Sequence, residues 1–159
     1  MKKALIIIGI IAVVIVGIFL VVFSSLNKEK ISITADTFNT TMESKGYVMT
    51  DTTSQFAQYG SLMTKSYAAQ KSGYQIEFYE LSSEENAISM YNTNKTKFES
   101  QKTNASTSST VSMNNYATYS LTTNGKYKYV SRIDNTLVYV DVDETYKDAV
   151  KDIMKEIGY

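Results

Sequence analysis

Residues 116–143, YATYSLTTNGKYKYVSRIDNTLVYVDVD, contain two turn dipeptides, Asn124-Gly125 and Asp134-Asn135, ten residues apart. Asn-Gly tolerates the left-handed angles of a two-residue type I′ hairpin, and the second pair repeats the device. Three antiparallel strands follow from this spacing, with Leu121 opposite Lys128 and Val130 opposite Tyr139. Side chains alternate across a strand, so the register also sorts the residues into two faces. One carries Tyr127, Tyr129, Ser131, Ile133, Val138 and Val140, has no full charge, and reads as the core face. The other mixes Tyr119, Leu121, Lys126, Lys128, Val130, Arg132, Leu137, Tyr139 and Asp141.

Upstream, Ser66–Gln70 and Tyr74–Phe78 read as the arms of a further hairpin joined by Lys71-Ser72-Gly73, with Tyr74, Ile76 and Phe78 inward. Ser82 with Glu85 three residues on has the form of a capping box, and the spacing predicts a helix to about Gln101 with Ile88, Tyr91 and Phe98 covered. Residues 100–115, SQKTNASTSSTVSMNN, carry almost no apolar pattern and read as a polar, flexible loop.

Towards the amino terminus, Thr34 is placed to cap a helix that runs to about Lys45 on an Ala35, Phe38, Met42 stripe and stops at Gly46. Tyr47-Val48-Met49 reads as a short strand, and Ser54–Met63 as a short helix weakened by Gly60. At the other end Asp143 reads as the cap of a helix carrying Tyr146, Val150, Ile153, Met154 and Ile157. It closes on Gly158-Tyr159 as the first helix closes on Gly46-Tyr47. The expected fold class is α+β: a mainly antiparallel sheet of about five or six strands in two layers. Helices pack on one face, either with 83–101 and 144–157 side by side over the sheet or with a strongly bent sheet closing round a terminal helix, and the sequence does not separate the two.

The amino-terminal stretch is of another kind. Residues 4–23, ALIIIGIIAVVIVGIFLVVF, are apolar without interruption, and 20 residues at 1.5 Å each reach about 30 Å, the thickness of a hydrocarbon core. A cleaved signal peptide has a shorter apolar region and a small-x-small site, which Ser24-Ser25-Leu26-Asn27-Lys28-Glu29-Lys30 does not offer. The reading is therefore a single-pass anchor over residues 1–27 and one domain over residues 31–159. Lys2 and Lys3 outweigh Lys28 and Lys30 offset by Glu29, which puts the amino terminus in the cytoplasm and the domain outside, in the cell envelope.

Composition narrows the chemistry. The chain has 13 Tyr and 6 Phe but no Trp, Cys, His or Pro, and its formal net charge is zero. Much of the core must be aromatic, with hydroxyls seeking partners at its edge. No basic block asks for nucleic acid. Without His or Cys, the usual general base, the thiol nucleophile and most transition-metal sites are missing. No cofactor is expected. Paired carboxylates remain the alternative for a cell-envelope hydrolase or transferase, drawn from Glu77, Glu80, Asp141 and Asp143. Asp141, Asp143 and Glu144 are weak candidates for a hard cation, although a cap and a helix dipole already account for the last two. The mixed face suggests a binding strip, Tyr119, Lys128, Val130, Arg132, Leu137 and Tyr139, able to stack on a peptide or glycan or to meet an envelope protein. The expected function is a membrane-anchored extracytoplasmic binding or interaction module.

Overall fold

The computed structural model describes residues 29–159, so the apolar run 4–23 and its flank to residue 28 lie outside the described residues. Among the described residues no helix is long and apolar enough to cross a membrane. In chain order the elements are α1 (Ala35–Ser44), β1 (Val48–Asp51), a 3-10 stretch (Thr53–Leu62), β2 (Met63–Lys71), β3 (Tyr74–Leu81), α2 (Glu84–Glu99), β4 (Thr107–Ser112), β5 (Tyr116–Thr123), β6 (Lys126–Ile133), β7 (Thr136–Asp143), a 3-10 turn (Glu144–Tyr146) and α3 (Lys147–Glu156).

The hairpin turns set the register. Asn124 and Gly125 both take positive φ, as do Ser72 and Gly73, and each pair closes a two-residue loop whose twist matches the strands beside it. Leu121 lies opposite Lys128 and Val130 opposite Tyr139, as the spacing predicts. All seven strands form one antiparallel sheet in the order β1-β2-β3-β7-β6-β5-β4. The class is α+β.

Helices cover both faces of this sheet, which corrects the two-layer expectation. On one face α1 and α3 bring Phe38, Met42, Val150, Ile153 and Met154 onto Ile76, Phe78, Tyr127, Tyr129, Val138 and Val140. On the other, α2 brings Ala87, Tyr91 and Phe98 onto Tyr79, Tyr119, Leu121, Val130 and Leu137. The helices expected side by side therefore sit on opposite faces. The reason lies in β6, buried from Tyr127 to Ile133 on both sides: the mixed face has enough aliphatic surface to need its own cover.

Several local expectations shift. The cap of α2 is Ser83, whose Oγ accepts from the Asn86 N–H at 3.2 Å, while Ser82 instead bonds the Leu62 carbonyl. Ile88, expected under cover, is partly exposed, and Ala87 takes its place. Residues 107–112, read as part of a loop, form the exposed edge strand β4, held to β5 through its backbone alone along Thr107–Ser112. Asp143 gives no side-chain cap, and a 3-10 turn intervenes before α3. The stretch 53–62 is 3-10, broken at Gly60 with φ of 61°. The two Gly-Tyr endings are alike in geometry: Tyr47 N–H bonds the Met42 carbonyl, and Tyr159 N–H bonds that of Met154 at 2.8 Å.

The sheet has two distinct ends. At one, the Asn115 side chain bonds both the N–H and the carbonyl of Lys30. The Asp134 N–H bonds the Asn115 carbonyl, Asn135 bonds Leu81, and the Ser82 N–H bonds the Leu62 carbonyl. The amino-terminal entry of the domain is thus pinned to this end. The opposite end carries the α1–β1 turn at Gly46, the β2–β3 hairpin at Ser72-Gly73 and the β5–β6 hairpin at Asn124-Gly125.

Candidate functional site

The strip expected to bind a ligand is the floor beneath α2. Tyr119, Val130 and Leu137 are fully buried, and Lys128 and Arg132 are only 5% and 6% exposed. Lys128 Nζ bonds Asp141 at 2.5 Å and sits 5.4 Å above the Phe98 ring. Arg132 reaches Glu84 at 2.9 Å and the Asn115 carbonyl at 3.3 Å. Cations buried in this way are held by partners on the strand and on the first turn of α2. Tyr139, half-buried and 5.3 Å from the Phe98 ring, is the member of the strip that a ligand can reach. It opens into a recess of about 230 Å³ lined by Glu77, Tyr79, Met90, Asn94 and Lys97. Burial, with Asp141 and Glu77 nearby, pushes its hydroxyl up to about 12.

A larger opening lies at the end of the sheet away from Lys30. The β3–β7 ladder registers Glu77–Glu80 against Thr136–Tyr139 and stops there, so Tyr74–Ile76 and Val140–Asp143, each still paired with its outer neighbour β2 or β6, are not paired with each other. Beside these residues is an open cleft of about 890 Å³ lined by Gly46, Val48, Gln70, Lys71, Ser72, Gly73, Tyr74, Gln75, Lys126, Asp141, Val142 and Asp143. Register explains the composition. Val48 pairs with Gln70, Gln70 with Gln75, and Lys126 with Asp143, so these side chains stand on one face, beyond the part covered by α2.

A chain of side-chain hydrogen bonds runs from this cleft toward the recess. Gln70 Nε2 donates to Gln75 Oε1 at 2.8 Å, and Gln75 Nε2 donates to Glu77 Oε1 at 2.8 Å. The Tyr79 hydroxyl donates to Glu77 Oε2. The Tyr79 hydroxyl is held protonated by burial and by the neighbouring Glu77 carboxylate. The result is an ordered strip of amide, carboxylate and phenol groups with acceptors and donors spaced along a strand.

Of the four carboxylates considered for catalysis, Asp141 and Asp143 share the cleft, and each is engaged by a lysine. Glu80 lies on the opposite face of the sheet and accepts the Ala35 N–H. Glu77 is bonded to Gln75 and Tyr79, Asp141 to Lys128, and Asp143 to Lys126 at 2.5 Å. Among the described residues no three acidic side chains are grouped so as to hold a metal ion.

Of the cleft residues, sequence reasoning singled out Asp141 and Asp143 and missed Gln70, Lys71, Gln75 and Tyr74. They come from separate segments and share no motif. The signal that could have found them is the polar alternation of β2 and β3, where Gln70, Gln75 and Glu77 stand opposite Tyr74, Ile76 and Phe78. No family model, curated protein or solved structure matches the chain.

Proposed function

We propose that this chain is a membrane-anchored extracytoplasmic binding module: residues 4–23 span the bilayer, and the domain presents its open cleft to a polar peptide or glycan of the cell envelope. The observation that carries the reading is the position of the cleft, at the end of the sheet opposite Lys30, where the tether enters. A ligand site facing away from the membrane is open to the envelope. The lining suits a hydroxyl- or amide-rich ligand, with Gln70 and Gln75 offering amides, Asp141 and Asp143 acceptors, Lys71 and Lys126 cations, and Tyr74 a ring edge.

Binding is favoured over catalysis because each acidic side chain near the cleft already has a cationic or hydrogen-bonding partner, and the chain has no His or Cys to act as base or nucleophile. The anchor reading rests on the apolar run and on the excess of positive charge at Lys2 and Lys3.

The test is retention of the domain on isolated cell envelope, compared between the parent chain and a Gln75→Ala, Asp143→Ala double variant. Both positions are at the surface of the cleft, so the fold is expected to survive, and circular dichroism checks this. Loss of retention supports the cleft as the site. Equal retention by the two proteins, both folded, removes the cleft from consideration.

A further inference from the structure

We propose that the cleft is one end of a longer track along β3, and that its ligand is an extended peptide of about seven residues carrying a large apolar side chain at the end away from the cleft. The inference rests on the binding-module reading above and narrows it from peptide or glycan to peptide.

Strand order and register lay out the track. On the face that carries α2, β3 presents Gln75, Glu77, Tyr79 and Leu81 in succession, about 7 Å from one to the next. Helix α2 covers that face over β5, β6 and β7. The 3-10 stretch covers it over β2: Ser66, opposite Tyr79 in the ladder, is fully buried, and its hydroxyl is bonded to that of Thr52, just before the stretch begins. Strand β3 is thus the floor of a valley with the 3-10 stretch as one wall and α2 as the other.

Three openings stand in line along this floor. The cleft of about 890 Å³ lies at Gln75, the recess of about 230 Å³ at Glu77 and Tyr79, and a groove of about 380 Å³ at Leu81. Recess and groove share Met90 and Asn94 of α2. Recess and cleft adjoin along two strands, Glu77 next to Gln75 on β3 and Tyr139 next to Asp141 on β7. From Gln75 to Leu81 is about 20 Å, the reach of about seven residues of extended chain.

The chemistry changes along the track, and the change selects the ligand. The groove has no charged residue in its lining; Phe56, Leu62, Met63, Leu81 and Met90 make it apolar, and Phe56 stands edge-on to the Tyr79 ring with 5.5 Å between centroids. The recess offers Glu77 as an acceptor and Lys97, which forms no salt bridge among the described residues, as a donor. The cleft adds Lys71, Lys126, Asp141 and Asp143. A glycan is hydroxylated along its length and would leave hydroxyls unpaired against the leucines and methionines of the groove. A peptide suits all three openings: an apolar side chain in the groove, main-chain N–H and C=O groups at Glu77 and Lys97, and polar side chains in the cleft. Its same-face side chains also repeat at the spacing of the β3 residues beneath them.

The full chain in lipid nanodiscs is panned against a phage library of random octapeptides, and an enriched peptide is synthesised with and without its apolar end. Enriched peptides are expected to carry leucine, methionine or phenylalanine at one end. Leu62→Ser, at a position 48% exposed, should weaken the whole peptide about tenfold, and so should the Gln75→Ala, Asp143→Ala double variant. The peptide without its apolar end should bind more weakly, ignore Leu62→Ser and still respond to the double variant, which shows one ligand spanning both ends. Circular dichroism checks that each variant is folded. Peptides weakened by the cleft variant alone overturn the track and leave the cleft standing; peptides weakened by Leu62→Ser alone make the groove a separate site and overturn the track as well. If no peptide is enriched while retention on cell envelope still depends on Gln75 and Asp143, the ligand is not a peptide, and this inference falls without the cleft. If that retention is also independent of Gln75 and Asp143, both fall.

Discussion

Glu80, on β3, accepts the backbone N–H of Ala35 at 2.8 Å, so a carboxylate from the sheet satisfies the first turn of a helix 45 residues earlier in the chain. Thr34 serves the same helix from within, accepting from the Thr37 N–H at 3.1 Å. The anion stands where the helix dipole favours it, and it fixes α1 to the sheet at the end where Lys30 is held by Asn115. Glu80→Ala is predicted to cost about 1–2 kcal/mol, and Glu80→Gln less because it keeps an acceptor. Urea unfolding of the two variants measures the difference.

Tyr119 is fully buried, yet its hydroxyl has no hydrogen-bond partner among the described residues. A buried polar group left unpaired costs about 1–3 kcal/mol. Tyr119→Phe should therefore raise the urea midpoint. Tyr159→Phe should lower it, because the Tyr159 hydroxyl is bonded to Thr136 in the core beneath α3.

Two neighbouring ion pairs should respond differently to loss of their acid. Lys128 is nearly buried, while Lys126 and Asp143 are both exposed. Asp141→Asn strands a desolvated ammonium and is predicted to cost about 1–3 kcal/mol, reduced from the fully buried case because Asp141 is itself about a third exposed. Asp143→Asn should cost about 0–1 kcal/mol, and added salt should diminish that further. Thermal melts at low and high salt separate the two.

The aromatic core predicts alkaline unfolding. Burial raises the hydroxyls of Tyr91, Tyr127 and Tyr139 to about 12, and those of Tyr47, Tyr79 and Tyr159 are raised by burial as well. The folded values lie above the ordinary 10.0, so the folded chain keeps protons that the unfolded chain gives up first. Stability is fully present below pH 10 and is lost as pH rises through about 12. The tyrosinate absorbance of these six rings should appear together with loss of ellipticity in one steep transition. Ionisation of all the tyrosines near pH 10 with the fold intact would contradict this.

Much of the sheet was legible because turn chemistry specifies it locally. Asn124-Gly125 and Asp134-Asn135 set the pairing of β5, β6 and β7, and Tyr74, Ile76 and Phe78 announced their buried face by alternation. The third layer was hidden by Lys128 and Arg132, which made their face look like a surface. Asp141 and Glu84, which hold them, come from other elements. Strand β4 was hidden for the opposite reason: only Val111 in it is apolar, and backbone pairing to β5 leaves no trace in hydrophobic pattern. The cleft was legible in Asp141 and Asp143 alone, since hairpin tips from distant segments assemble the rest.

The account stands on a domain held outside the membrane by residues 4–23 with its cleft turned outward. The direct measurement is to express the full chain with the single substitution Val48→Cys and treat intact cells with a membrane-impermeant maleimide before fractionation. Val48 is exposed and lines the cleft. The account predicts a full-length, labelled chain in the membrane fraction that carbonate washing does not release. A chain found in the soluble fraction, or one labelled only after the cells are broken, would contradict it.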